Sequence, residues 1–251
     1  MGQAEIDLET LERVTALLGE HGYAQAFAPI DEASGLPNEA YWSPEWLALE
    51  QTRLFQRNWV FAGAEAEIPN SGDIKPLIIG GAPMIMLRDD LGKVRCFHNV
   101  CRHRGAQLVT TPCNKRSITC PYHAWNYGLD GRLRRRIHFA GPDRIETFDG
   151  GCDEKLDLVA VRVETWNGCI FVDIGGGAKP LDEWLSPLLK RTLGYDFSAI
   201  CWAGRIDFDV KANWKLVLEN YMEGYHLNTV HSKALYDVTP TRLCEKIPPG
   251  E

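Results

Sequence analysis

Two short Cys/His pairs, Cys101-Arg-His103 and Cys120-Pro-Tyr-His123, constrain this chain more than any other feature. Two thiols and two imidazoles delivered as pairs, rather than scattered, require two loops to converge on one centre. The donor types suit a tetrahedral zinc, or a 2Fe-2S cluster with sulfur on one iron and histidine nitrogen on the other. Whichever it holds, the rest of the fold must serve as a frame for those two loops.

The frame is legible in the pattern around them. From 59 to 174, short apolar runs alternate with turn residues. Strands are expected over 74–79, 83–87, 93–97, 156–163 and 169–174, with Asp89-Asp-Leu-Gly92, Asp130-Gly131 and Asn167-Gly168 as hairpin punctuation. This predicts an antiparallel β domain with the pairs in its loops, where the centre stays within reach of solvent or a partner.

On either side the periodicity is different. Ile6, Leu8, Leu11, Val14, Leu17 and Leu18 have helical spacing, with acids (Glu5, Asp7, Glu9, Glu12) early and Gly19 and Gly22 to end the helix. Ser43 is a plausible N-cap, with Pro44 at the first helical position, for a second helix running toward Trp59. Gly175 to Gly177 reads as a linker. Beyond it a helix is expected over 181–193, a half-buried strand over 199–211 carrying Trp202, Ile206, Phe208 and Val210, and a helix capped by Asn213 running through Tyr221. The class is therefore α+β, in three parts: a helical segment over 1–58, a β domain over 59–174 and a further domain over 175–251.

Size and charge narrow the function. At 251 residues and 45% hydrophobic the chain can bury a sizeable core, and its net charge of -7 argues against a nucleic-acid partner. No apolar run has the length of a membrane span, and the N-terminal 25 residues are acidic, unlike a signal or transit peptide. A cytoplasmic protein is expected. Of eight cysteines, Cys96, Cys113, Cys152, Cys169, Cys201 and Cys244 are isolated and read as reduced packing residues. Basic residues gather near the pairs: Arg102, Arg104, Lys115, Arg116, Arg132, Arg134, Arg135 and Arg136. They suggest an acidic electron donor docking beside the centre.

The context of the pairs goes further. Cys-X-His followed by Arg104-Gly105, and Cys-Pro-Tyr-His followed by Ala124-Trp125, closely resemble the cluster-binding boxes of Rieske proteins. The resemblance implies a 2Fe-2S cluster with Cys101 and Cys120 on one iron and His103 and His123 on the other. A structural zinc knot is the competing reading, and it does not account for the Arg-Gly and Ala-Trp context. Tyr122 and Trp125 are read as shielding or packing residues.

A second constellation lies downstream, within Asn213-Trp214-Lys215 to His231. Two histidines and a nearby acid suit the His/His/carboxylate site of non-haem iron oxygenases. Glu223 and His226 are three apart and would share a helix face. His226 and His231 are five apart, so both reach one ion only if the helix ends or bulges between them, which Gly224 eases. From about Trp42 to His231 the chain resembles the catalytic α subunits of Rieske non-haem iron oxygenases, the ring-hydroxylating oxygenases.

That resemblance implies mononuclear Fe(II) on His226 and His231. It makes Glu223 the bridging acid between a metal-bound histidine and a cluster histidine of a neighbouring subunit, and places Asn220 and Tyr225 at the site. It implies the start of a helix-grip catalytic domain, electrons from NAD(P)H through a reductase or ferredoxin, O2 and a small organic substrate, and a trimer or a complex with a second subunit. A third, carboxylate ligand is expected on a later helix and is not found in this chain. Asp237, the nearest acid, reads as a loop residue. The expectation is a fragment, a site completed by another polypeptide, or a lost activity. Aromatic hydroxylation is the first expectation. Glu223, where many ring-dihydroxylating members have aspartate, points to the alternative of hydroxylating or demethylating a quaternary amine. A Rieske electron-transfer protein without oxygenase activity is the alternative from another class.

Overall fold

A computed structural model describes residues 8–29, 31–150, 153–240 and 242. Ile6, Glu5, Asp7, Cys152 and Cys244 lie outside the described residues. The chain divides into two compact units, one over Glu50–Ala203 and one made from the segments before and after it. Its class is α+β, with antiparallel pairing throughout both sheets.

Among the described residues the central unit holds eleven strands. β1 (Trp59–Ala64), β2 (Asp73–Ile79), β3 (Ala82–Arg88), β4 (Val94–His98), β5 (Cys113–Asn114), β10 (Ala160–Trp166) and β11 (Cys169–Asp173) form one sheet in the order β1-β11-β10-β4-β3-β2-β5. The second sheet, β6 (Ile118–Thr119), β7 (Asn126–Tyr127), β8 (Leu133–Ile137) and β9 (Ile145–Thr147), is paired in sequence order.

Strand alternation builds the core on both faces of the large sheet. In β3, Ile85 and Leu87 join Phe97, Trp125, Tyr127 and Leu133 in the main core cluster, while Met84 and Met86 point the other way into two smaller clusters. All four are fully buried, each contributing about 1.5–3 kcal/mol. Pro76, mid-β2, is tolerated because β5 covers only Asp73 and Ile74, leaving the edge beyond them open.

The expected turns form. Asp89 accepts from the N–H groups of Leu91 and Lys93 at 2.9 and 2.8 Å, closing the β3–β4 hairpin. Asn167 and Gly168 both take positive φ, the requirement of a two-residue hairpin turn. Gly131 is obligatory between β7 and β8, since a Cβ there would lie 2.4 Å from the Phe97 ring.

Several expectations need correction. The strand expected from Leu156 begins at Ala160, because Leu156 ends a 3-10 turn capped by Asp153, and Asp157 accepts from Leu133 N–H at 2.7 Å, tying the segment to the smaller sheet. The helix over 181–193 is two short helices, α4 (Leu181–Trp184) and α5 (Ser186–Thr192), with Pro187 at the start of the second. Residues 200–212 form no strand: among the described residues none pairs with them, and Trp202, Ile206, Phe208 and Val210 are exposed. Alternation alone does not make a strand without a partner's hydrogen bonds.

In the other unit, α1 (Leu8–Ala26) continues past the expected stop, but Gly19 breaks it with φ 68° and ψ 164°. α2 (Glu39–Trp42) precedes α3 (Pro44–Leu49), whose Trp46 N–H donates to the Ser43 hydroxyl at 3.2 Å, as a cap at Ser43 requires. The helix expected to continue toward Trp59 gives way, in the first residues of the central unit, to a π-helical turn over Glu50–Phe55. α6 (Trp214–Met222) is capped by Asn213, which accepts from Lys215 N–H at 3.0 Å. No helix among the described residues is long and apolar enough to cross a membrane.

Candidate metal centres

The two Cys/His pairs sit on loops with matching backbone geometry. The first follows β4, and the second joins β6 to β7. In each, the cysteine N–H donates to the carbonyl five residues on (Ala106 or Trp125, both 2.8 Å), and its carbonyl accepts from the N–H four residues on (Gly105 at 3.0 Å, Ala124 at 3.1 Å). The same fourth position is left-handed in both loops, Gly105 at φ 73° and Ala124 at φ 54°. Glycine adopts this freely, whereas alanine does so at a cost.

These turns set two thiols and two imidazoles side by side. Cys101 and Cys120 are buried and belong to the main core cluster. Burial pushes the Cys101 thiol above its ordinary value, the Tyr127 hydrogen bond pulling the other way and Cys120 adding to the rise. His103 and His123 meet edge to face, with centroids 4.7 Å apart. Burial, then His123 and Arg104, hold His103 below the usual imidazole range, so its ring is neutral near pH 7. The Nδ1 atoms of both histidines are buried and have no hydrogen-bond partner among the described residues. Orphaned polar atoms in a core are costly unless something binds them. Two buried, unpartnered imidazole nitrogens on the loops that carry two buried thiols are a fit for a mixed sulfur/nitrogen cluster.

Two supports, Asn99 and Tyr127, escape the motif. Asn99, 1% exposed, accepts from Leu108 and Val109 N–H at 3.1 and 3.0 Å and donates to Val109 O at 2.6 Å, bracing the first loop. Nothing in the sequence marks it, since an Asn after a strand reads as a turn residue. Tyr127 accepts from Arg102 N–H at 3.1 Å and hydrogen-bonds Cys101 Sγ at 3.3 Å, donating to it whenever the cysteine is a thiolate. Its signal is the alternation Trp125, Tyr127, Leu129, all buried. Trp125 stacks on His103 at 4.8 Å and 5°, which fits the shielding role expected of it. Tyr122 lies against His123 but is largely exposed.

The basic cluster separates into two groups. Arg102 donates to Lys155 O, Arg132 to Gly150 O, Arg134 to Asp130 and Asp149 O, and Arg136 to Glu146. Arg104, Lys115, Arg116 and Arg135 are exposed, with no side-chain hydrogen bond or ion pair among the described residues.

The second constellation takes a different backbone from the one expected. α6 ends at Met222, so Glu223 is extended (φ -105°, ψ 142°) and shares no helix face with His226. A 3-10 turn over Tyr225–Asn228 follows. The Glu223 carboxylate accepts from Tyr225 N–H at 2.5 Å, from His226 N–H at 3.1 Å and from His226 Nδ1 by a short contact, and the His226 bond holds its pKa below the usual carboxylate range. That bond fixes the ring and leaves Nε2 free. His231 meets His226 edge to face, with centroids 5.3 Å apart. Two imidazoles with an oriented donor suit a metal. Among the described residues, however, no set of three His, Cys, Asp or Glu is placed to hold an ion, so the carboxylate of a facial triad is not supplied by them. The Tyr225 and Asn220 side chains are exposed, and Asp237 lies in a turn.

Comparison with known proteins places the class. Residues 58–148 match the Rieske [2Fe-2S] domain, and residues 199–246 match the catalytic domain of ring hydroxylating alpha subunits. The chain thus carries a Rieske domain and part of a ring-hydroxylating α-subunit domain, and its homologues are Rieske oxygenase large subunits. Among them is the glycine betaine monooxygenase oxygenase subunit of Chromohalobacter salexigens, 39% identical over 80% of this chain and 44% of that protein. The anthranilate 1,2-dioxygenase large subunit of Acinetobacter baylyi is 32% identical over 82% of this chain and 44% of its own length. A crystal structure of a quaternary ammonium Rieske monooxygenase in complex with its substrate gamma-butyrobetaine superposes with a TM-score of 0.70 at 27% identity, over 80% of this chain and 57% of that one. The chain spans about half the length of these relatives.

Proposed function

We propose that this chain is the oxygenase component of a Rieske system that hydroxylates an N-methyl group of a quaternary ammonium compound. Cys101 and Cys120 would hold one iron of the cluster as thiolates and His103 and His123 the other through Nδ1. His226 and His231 would bind a mononuclear Fe(II) whose carboxylate ligand is supplied from outside the described residues. When bound, the two centres supply one-electron transfer and dioxygen activation.

The chain's own residues have definite tasks in this reading. Tyr127 donates to Cys101 Sγ, and Asn99 holds the first loop closed. Trp125 covers one face of His103 and keeps water from it. Glu223 fixes the tautomer of His226, and as the bridging acid it would link His226 to a cluster histidine of a neighbouring subunit, a role that calls for a trimer or similar oligomer. The exposed Arg104 and Arg135 suit an acidic reductase or ferredoxin that delivers electrons from NAD(P)H. The described cysteines are all free thiols, in keeping with a reducing compartment such as the cytoplasm.

The single observation that carries the reading is the pair of buried, orphaned Nδ1 atoms on two imidazoles that meet edge to face, on the same two loops as the buried thiols. For the substrate, identity to the glycine betaine enzyme exceeds that to the anthranilate enzyme, which reverses the first expectation of an aromatic compound. The test is turnover with a reductase, NADH and O2, offering glycine betaine, carnitine and benzoate in parallel. Formaldehyde released from a quaternary amine, and its loss in His226→Ala with the cluster spectrum intact, is the expected result. Product from benzoate alone overturns the substrate reading. Electron uptake with no product from any of the three favours the electron-transfer alternative.

A further inference from the structure

The unexplained group nearest the cluster loops is an ion pair beneath an aromatic layer. Arg136 of β8 faces Glu146 of β9 across the strand register and donates to it from Nη2 at 3.0 Å. The guanidinium carbon lies 4.2 Å from the Phe139 ring centroid, 5.2 Å from Phe148 and 5.6 Å from Trp125. Trp125 stacks on His103, and Phe139 stands edge-on to both rings. The charge therefore reaches a donor histidine through one intervening indole.

As a device for stability the pair is poor. The Arg136 and Glu146 side chains are 13% and 29% exposed, and Arg136 Nε and Glu146 Oε2 are buried without a hydrogen-bond partner among the described residues. A partly desolvated pair with an unsatisfied atom on each side recovers little of its desolvation cost, and an apolar side chain would fill the same ring-lined space as well. Volume alone does not explain a cation there.

We propose that Arg136 is a positioning residue for the Rieske centre: its guanidinium, clamped by Glu146 among Phe139, Phe148 and Trp125, fixes the Trp125–His103 stack and places a positive charge that favours the reduced cluster. The inference rests on the assignment of His103 as a cluster ligand. It has a signature that packing lacks. Reduction adds a negative charge, so removing the cation disfavours it, and removing the neighbouring anion favours it. Damage to packing gives no reason for the two variants to act in opposite senses.

The experiment is a redox titration of the full, cluster-loaded chain at one pH, followed by EPR, for the wild type, Arg136→Met and Glu146→Gln. Methionine keeps most of the volume among the rings. At the wild-type midpoint potential, the reduced-to-oxidised ratio should fall roughly three- to tenfold in Arg136→Met and rise in Glu146→Gln, for one charge acting through protein. Shifts of the same sign, or no shift in either variant, overturn the inference. Should Arg136→Met lose its cluster, Glu146→Gln decides: an unchanged or lowered potential contradicts the proposal, and a raised one supports it. Absence of a mixed-ligand signal from the wild type overturns the cluster assignment and this inference with it, whereas its presence without opposed shifts overturns this inference alone.

Discussion

Single atoms decide how the cluster loops behave, and the Tyr127 hydroxyl is the clearest case. It accepts from Arg102 N–H and lies 3.3 Å from Cys101 Sγ, to which it must donate once the cysteine is a thiolate. A hydrogen bond to a cluster sulfur stabilises the more negative, reduced state. Tyr127→Phe should therefore lower the midpoint potential while the protein still binds its cluster, which a redox titration of the variant reads directly. An unchanged potential would mean that the hydroxyl serves the Arg102 amide alone. The residue was visible in the sequence only as an inward position on a short strand. The contact with sulfur depends on the first loop, on a different strand, reaching across the core to meet it. Asn99 was less visible still, because its three bonds are to backbone groups nine and ten residues away and no pattern of residue types records them.

At the scale of elements, the two cluster loops are one turn used twice, and the left-handed fourth position separates them energetically. Gly105→Ala should destabilise the protein by about 1 kcal/mol, since a Cβ is forced into the conformation that L-residues avoid. Ala124→Gly should be neutral or stabilising by a few tenths to about 1 kcal/mol, relief of the same strain being offset by glycine's backbone entropy. Chemical denaturation of the two variants, followed by circular dichroism, tests the asymmetry, and equal destabilisation of both would contradict it. The strands β2, β3, β4 and β11 and the turns at Asp89, Gly131 and Asn167 were legible because local chemistry sets them, whereas β1 was not among the expected strands. The small sheet was not: β6, β7 and β9 are two or three residues long, and Leu133–Ile137 carries three consecutive arginines that read as a charged surface. Residues 200–212 failed for the opposite reason, since their alternation is clear and the described residues supply no partner strand.

Across the whole molecule, the two donor clusters differ in completeness. The Cys/His pairs lie within a single unit, with both thiols in its core and the two imidazoles edge to face. His226 and His231 converge with Glu223 already engaged, but the described residues bring no third ligand to them. Residue type and spacing marked both groups as candidates in the sequence. At the second, the route of the backbone differs from the one expected, since Glu223 reaches His226 from an extended residue after the helix rather than from a shared helix face. Everything proposed for this chain depends on the first cluster holding two irons with mixed ligands. The most direct test is EPR of the anaerobically purified, dithionite-reduced protein together with labile-sulfide analysis. The account predicts a mixed histidine/cysteine 2Fe-2S signal and about two labile sulfides per chain, both lost in His103→Ala. Zinc without labile sulfide, or a signal of all-cysteine ligation, would contradict it.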